Sequence, residues 1–116
     1  QRLVRKVCSH CVTDRFLDAD EIRTLRLSVP SGRKVKVKEG NGCHECRGTG
    51  YLGRTGVFEV LPITEAVKDL VVAGADTPEI NRTAVKEGMR TLRQSALRKL
   101  AEGTTTFEEV VRVTSV

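Results

Sequence analysis

Cys8-Ser9-His10-Cys11 and Cys43-His44-Glu45-Cys46 hold all four cysteines of the chain, as two C-x-x-C pairs with 31 residues between them. A C-x-x-C turn places two sulfurs on one side of a tight loop. Two such knuckles facing each other complete a tetrahedron around one ion, with Zn–S bonds of about 2.3 Å. Cys8, Cys11, Cys43 and Cys46 are therefore expected to hold one structural zinc. Four thiolates leave no position for water, so such a metal holds structure and does not catalyse. His10 and His44 lie inside the knuckles and can replace a cysteine as ligand. With four thiolates present they are expected to be exposed or to support the ligands from outside. Gly42, Gly48 and Gly50 flank the second knuckle, where the backbone must bend closely around the sulfurs.

The same residues admit other chemistries. A pair of disulfides suits a secreted chain, and no basic, apolar, small-residue signal opens this one. A thioredoxin-like redox pair needs one C-x-x-C at a strand-to-helix turn, which two separated pairs do not resemble. An iron–sulfur cluster can use the same four ligands. Gly48-Thr-Gly-Tyr-Leu-Gly53 matches G-x-G-x-x-G, but it follows a metal knuckle and leads into a strand-like run, so it is not read as a dinucleotide site. The sequence contains no G-x-x-x-x-G-K-[ST] phosphate loop, and no catalytic or nucleotide-binding residue is assigned. The chain is not expected to be an enzyme by itself.

The elements that must position these cysteines are short. Leu3, Val4 and Val7 recur at spacings of three and four, which predicts the last turns of a helix over residues 1–7. Ile22, Leu25 and Val29 predict a second short helix over residues 20–29, broken by Pro30, Ser31 and Gly32. Lys34 to Lys38 alternates polar and apolar residues, as a half-exposed strand does. Gly40-Asn41-Gly42 then turns into the second knuckle, and Tyr51 to Ile63 reads as another strand. From Thr64 onward four helices follow. Thr64 caps the first, with Ala66, Val67, Leu70 and Val71 inward and Gly74 as its stop. Thr77-Pro78-Glu79 starts the second, which carries Ile80 and Ala84 and ends at Gly88. The third runs from about Arg90 to Glu102, with Leu92, Ala96, Leu97 and Leu100 on one side and Gly103 closing it. Thr106 and Glu109 form a capping box for the fourth, which carries Phe107, Val110 and Val111. The expected fold is α+β and mainly helical: a small zinc-knuckle lobe with a short β-hairpin or sheet, followed by a four-helix bundle-like lobe.

With 116 residues, 39% hydrophobic and only 3% aromatic, the chain has room for one compact domain or two small lobes and no large buried cleft. The net charge of +5 is uneven: residues 1–61 carry twelve Lys/Arg against seven Asp/Glu, and residues 62–116 carry eight of each. Four thiolates on a Zn²⁺ bring about −2, which accounts for part of the basic excess beside the cysteines. No run approaches the roughly 18 apolar residues of a membrane span. The chain reads as soluble and intracellular. It opens on Gln-Arg-Leu-Val with no initiator Met and its apolar spacing already under way, so it reads as cut from a longer sequence.

Four stretches in order carry a resemblance: Gln1 to Cys11; Cys43-His-Glu-Cys-Arg-Gly-Thr-Gly-Tyr-Leu-Gly-Arg-Thr-Gly-Val-Phe-Glu-Val60; Glu87-Gly-Met-Arg-Thr-Leu-Arg-Gln94; and Glu102-Gly-Thr-Thr-Thr-Phe-Glu-Glu-Val-Val-Arg112. Together they resemble the C-terminal region of the ATPases that power type II secretion and type IV pilus assembly. The resemblance implies that residues 1–7 finish an upstream ATPase core, 8–61 form the tetracysteine zinc lobe and 62–116 form a helical lobe. It places the family's metal ligands on Cys8, Cys11, Cys43 and Cys46. It also implies a full-length ATPase that alone binds ATP and Mg²⁺, works as a homohexamer with neighbouring subunits, and meets an inner-membrane platform protein from the cytoplasmic side. Pilus extension, secretion and pilus-linked DNA uptake are not separated by these residues. The basic stretch Ser31 to Gly42 is longer than the resemblance leads one to expect.

Two other readings compete. Two C-x-x-C knuckles in basic surroundings also suit a zinc-ribbon nucleic-acid module, although Trp is absent and stacking aromatics are scarce. Cys43 to Gly50 matches the C-x-x-C-x-G-x-G unit of J-domain chaperones, but Cys11 is followed by Val-Thr-Asp and not by a second such unit.

Overall fold

Strand pairing organises the first half of the chain. In the computed structural model, which describes residues 1–114, Arg2–Val7 is strand β1 and Val12–Phe16 is strand β2. Helix α1 (Ala19–Thr24) is followed by strands β3 (Lys36–Gly40) and β4 (Tyr51–Val57). β1 pairs antiparallel with β4, and β2 pairs antiparallel with β3. Each arm therefore runs strand, knuckle, strand. The arms β1–β2 and β3–β4 lie alongside each other in opposite directions, and both bend at their cysteines.

Residues 1–7 are thus not the end of a helix. The three-and-four spacing of Leu3, Val4 and Val7 is overridden by pairing with β4, where Val4 faces Thr55 and Leu3 faces Gly56. Alternation puts Val4 in the core with no exposure and leaves Leu3 50% exposed. β2 was not foreseen as a strand. α1 is shorter than expected: Asp18 and Glu21 close a capping box at its start, and Arg26, with φ of 54°, turns the chain soon after its end. The strand foreseen over Tyr51 to Ile63 stops at Val57, opposite Arg2, where its partner runs out.

The second half contains α2 (Glu65–Val72), α3 (Thr77–Lys86), α4 (Leu92–Ala101) and α5 (Phe107–Thr114). Local signals set most of the boundaries. Thr64 accepts from the Val67 N–H, and Thr91 with Gln94 forms a complete capping box. At α3 the cap is Asp76, one residue before the expected Thr77. Gly74, Gly88 and Gly103 follow helix ends with φ of 75°, 106° and 80°.

The four helices do not form the single bundle anticipated. They pack as two pairs around separate clusters. Val4, Leu17, Leu25, Val37 and Val57 from the strand half meet Ala96, Leu100, Val110 and Val113 from α4 and α5 in the main core. α2 and α3 close on a smaller cluster of Val67, Ala84 and Met89, flanked by Ile80. Val67 is fully buried, whereas Val71, expected inward, is 56% exposed, because a pair of short helices covers little more than one residue per turn. The result is elongated, 55 × 34 × 20 Å, with a radius of gyration of 17.1 Å against about 13 Å for a compact chain of this length. The last two residues of the expected 62–116 lobe, 115 and 116, lie outside the described residues. None of the described helices is long and apolar enough to cross a membrane.

Candidate metal centre

The first knuckle sits between β1 and β2, and the second between β3 and β4, so strand pairing itself brings the two C-x-x-C turns together. All four Sγ atoms lie within 4.8 Å of one another. Cys8 to Cys43 and Cys11 to Cys46 are 3.8 Å apart, and Cys43 to Cys46 is 3.7 Å. A regular tetrahedron with metal–sulfur bonds of about 2.3 Å has edges of about 3.8 Å. The observed edges match that figure, and they are far longer than a disulfide bond of about 2.0 Å. All four cysteines are free thiols. A cluster of two or more irons spreads its thiolates over several metal atoms, so four sulfurs this close suit a single ion.

Backbone amides are arranged for sulfur that carries charge. Gly42 N–H donates to Cys11 Sγ at 3.3 Å, and the N–H groups of Cys43 and Gly50 both donate to Cys46 Sγ at 3.2 Å. Burial of Cys46 pushes its thiol up, but these two amides together with the neighbouring Cys43 and Cys11 sulfurs hold it down to about 6. Cys11 is pushed up to about 12, first by burial and then by the neighbouring sulfurs, against the single amide of Gly42. Four sulfurs at this separation cannot all be thiolates without a cation among them, and a divalent ion would supply that charge.

The turns make this approach possible. Arg47 takes a left-handed φ of 55°, while Gly48 N–H reaches Cys43 O at 2.9 Å and Arg47 N–H reaches His44 O at 3.2 Å, closing the second knuckle. Gly40 and Gly50 cross so tightly that a Cβ on either would strike the other's carbonyl. Cys8 and Cys46 are buried and Cys11 and Cys43 half-buried; His10 and His44 stand at the surface side of the turns.

Sequence reasoning missed what ties this centre to the helices. Val7 N–H, next to Cys8, donates to Thr104 O at 2.9 Å; the Thr105 hydroxyl donates to Arg5 O at 2.7 Å; and Tyr51 and Thr106 hydroxyls meet at 2.7 Å. The loop between α4 and α5 is thereby stitched to the strand that enters the first knuckle. Thr106 caps α5 through the Glu109 N–H, as expected. The Glu109 carboxylate, however, does not return to close a capping box. It is 1% exposed and accepts from the Arg5 N–H at 2.7 Å and from the guanidinium groups of Arg5 and Arg112. Burial raises its pKa, but Arg112, the Arg5 amide and the Arg5 guanidinium together hold it down to about 2. Arg15 similarly joins β2 to α1, β3 and α5 through Glu21 at 2.7 Å, Glu39 at 2.8 Å and Glu108 at 3.4 Å. No sequence motif marks either hub, because the partners lie up to 104 residues away.

Comparison with known proteins bears on what the centre serves. Residues 1–112 match the family described as "Type II/IV secretion system protein". The chain is 40% identical over 96% of its length to the type IV pilus assembly ATPase PilB of Thermus thermophilus, and 38% identical over 96% to that of Myxococcus xanthus. It is 36% identical over 98% to the type II secretion system protein E of Pseudomonas aeruginosa. It spans 12%, 20% and 22% of those proteins' lengths. These matches do not favour the nucleic-acid module.

Proposed function

The chain belongs to the type II/IV secretion system protein family, which includes type IV pilus and type II secretion ATPases, and we propose that it is the zinc-clamped coupling region of such a motor. One observation carries the reading: four sulfurs on the edges of a metal-sized tetrahedron, at the point where both β-arms bend. Cys8, Cys11, Cys43 and Cys46 hold one structural Zn²⁺, which fixes the angle between the β1–β4 and β2–β3 sheets. Residues 1–7 continue from the nucleotide-binding core, 8–61 hold the metal, and 62–116 form the helical region. ATP and Mg²⁺ bind and react upstream, where the phosphate loop lies. The joined metal centre and α4–α5 loop pass the movement of that core to the helices and to neighbouring subunits of a hexamer. The motor works on the cytoplasmic face of the inner membrane against a platform protein, in pilus assembly or secretion.

The test is Cys46→Ser in the complete protein. Nucleotide binding is expected to stay within about twofold, while subunit assembly, ATP turnover and pilus or secretion output fall together. Normal assembly and turnover in a metal-free Cys46→Ser protein would show that the metal is dispensable.

A further inference from the structure

A groove of about 650 Å³ lies at the C-terminal end of β4, between the α2–α3 pair and the β4–α4 unit. Its floor is closed by Val57 and Ala84, both at most 2% exposed, and by Met89. Phe58 and Val60 stand along it at 52% and 71% exposure. Phe16 and Phe58 both stand about half in water, and Phe58 is the one that lines a groove.

The exposure is built in. Ser95 Oγ donates to Phe58 O at 2.6 Å, and Leu92 N–H donates to Glu59 Oε1 at 2.8 Å, so the Phe58 carbonyl and the next side chain are fastened to the start of α4. The ring lies over the bare backbone of Gly56, where a Cβ would sit 2.6 Å from Phe58 Cζ. An apolar ridge fixed in this way is preorganised, which lowers the entropy cost of receiving a partner.

Charge on the rim selects the partner. Glu102 is paired with Arg98 at 3.3 Å, and Glu87, which accepts from the Thr64 hydroxyl at 2.7 Å, is the one carboxylate on the rim that keeps its charge. Arg90 and Lys99 line the same groove with no carboxylate in ion-pair contact among the described residues. A concave apolar floor beneath unpaired cations does not fit a flat bilayer surface. It fits a helix that presents apolar side chains on one face and carboxylates beside them. We propose that this groove docks an acidic amphipathic helix of a partner protein, with its apolar side chains on Phe58, Val60 and Met89 and its carboxylates on Arg90 and Lys99. The site is independent of the metal centre.

The probe is a fluorescein-labelled helical peptide of about 15 residues, with leucines at i, i+3, i+4 and i+7 flanked by glutamates, together with its lysine-for-glutamate counterpart. Fluorescence anisotropy is expected to show saturable binding of the acidic peptide alone, with amide shift changes at Phe58, Val60, Met89, Arg90 and Lys99. Arg90→Glu with Lys99→Glu, both at the rim, is expected to weaken binding about tenfold or more while leaving the circular dichroism unchanged. Phe58→Ala is expected to weaken it comparably. Equal binding of the lysine peptide, shifts confined to other surfaces, or no saturation overturns the proposal. So does a groove that responds instead to phosphatidylglycerol vesicles, or to rising concentration of the chain itself without peptide.

Discussion

Replacing Glu109 by Gln keeps its volume and removes its charge from the most connected buried position in the chain. The carboxylate is held from 4.5 down to about 2, which by linkage corresponds to roughly 3 to 4 kcal/mol. Arg5 and Arg112 are 49% and 54% exposed and regain water when the carboxylate is lost, so roughly half, about 2 kcal/mol, is expected to survive screening. The amide that replaces one oxygen then points donors at guanidinium donors, adding about 1 kcal/mol. Glu109→Gln is thus expected to cost about 2 to 3 kcal/mol at pH 7 in urea unfolding followed by circular dichroism, or about 10 °C in Tm. The pH dependence follows from the sign of the displacement. A lowered folded value gives stability that is complete above 4.5 and disappears as pH falls towards about 2. The gap between the two proteins should therefore narrow by about half near pH 3. A cost below about 0.5 kcal/mol, or a gap unchanged on acidification, refutes the assignment of Glu109 as the charged anchor between β1 and α5.

Two further perturbations separate local from global effects. Gly50→Ala adds a Cβ against the Gly40 carbonyl at a φ of 81°, whereas Gly48→Ala at 77° meets open space; the first is expected to cost more than about 2 kcal/mol and to speed metal loss to a chelator, the second about 1 kcal/mol with retention little changed. Equal effects would show that the crossing of these backbones does not matter. Native-state hydrogen exchange is expected to open α2–α3, which rests on three buried residues, at lower free energy than α4–α5, which shares nine; the reverse order would contradict the two-cluster packing.

The clustering of the four cysteines was legible because chemistry and spacing were both local: each C-x-x-C is one turn, and only strand pairing was needed to join them. Helix boundaries were legible for the same reason, through Thr64 and the glycines after α2, α3 and α4. What failed was decided at a distance. Six residues with apolar positions at three and four apart fit either a helix or a strand, and β4, about fifty residues later, chose the strand for Arg2–Val7. Thr106 and Glu109 have the spacing of a capping box, but Arg5 offered the carboxylate a charged partner that the cap backbone cannot match. The bundle failed because α4 and α5 found a larger apolar surface on the strands than α2 and α3 provide.

One metal ion, held by four thiolates, is proposed to set the angle between the two sheets. X-ray absorption at the zinc edge of the purified chain, with elemental analysis, tests it most directly. One zinc per chain is expected, with four sulfur neighbours at about 2.3 Å and no nitrogen or oxygen among its ligands. Absence of stoichiometric metal, a mixed sulfur and nitrogen shell from His10 or His44, or iron with a second iron beyond the sulfurs would contradict it.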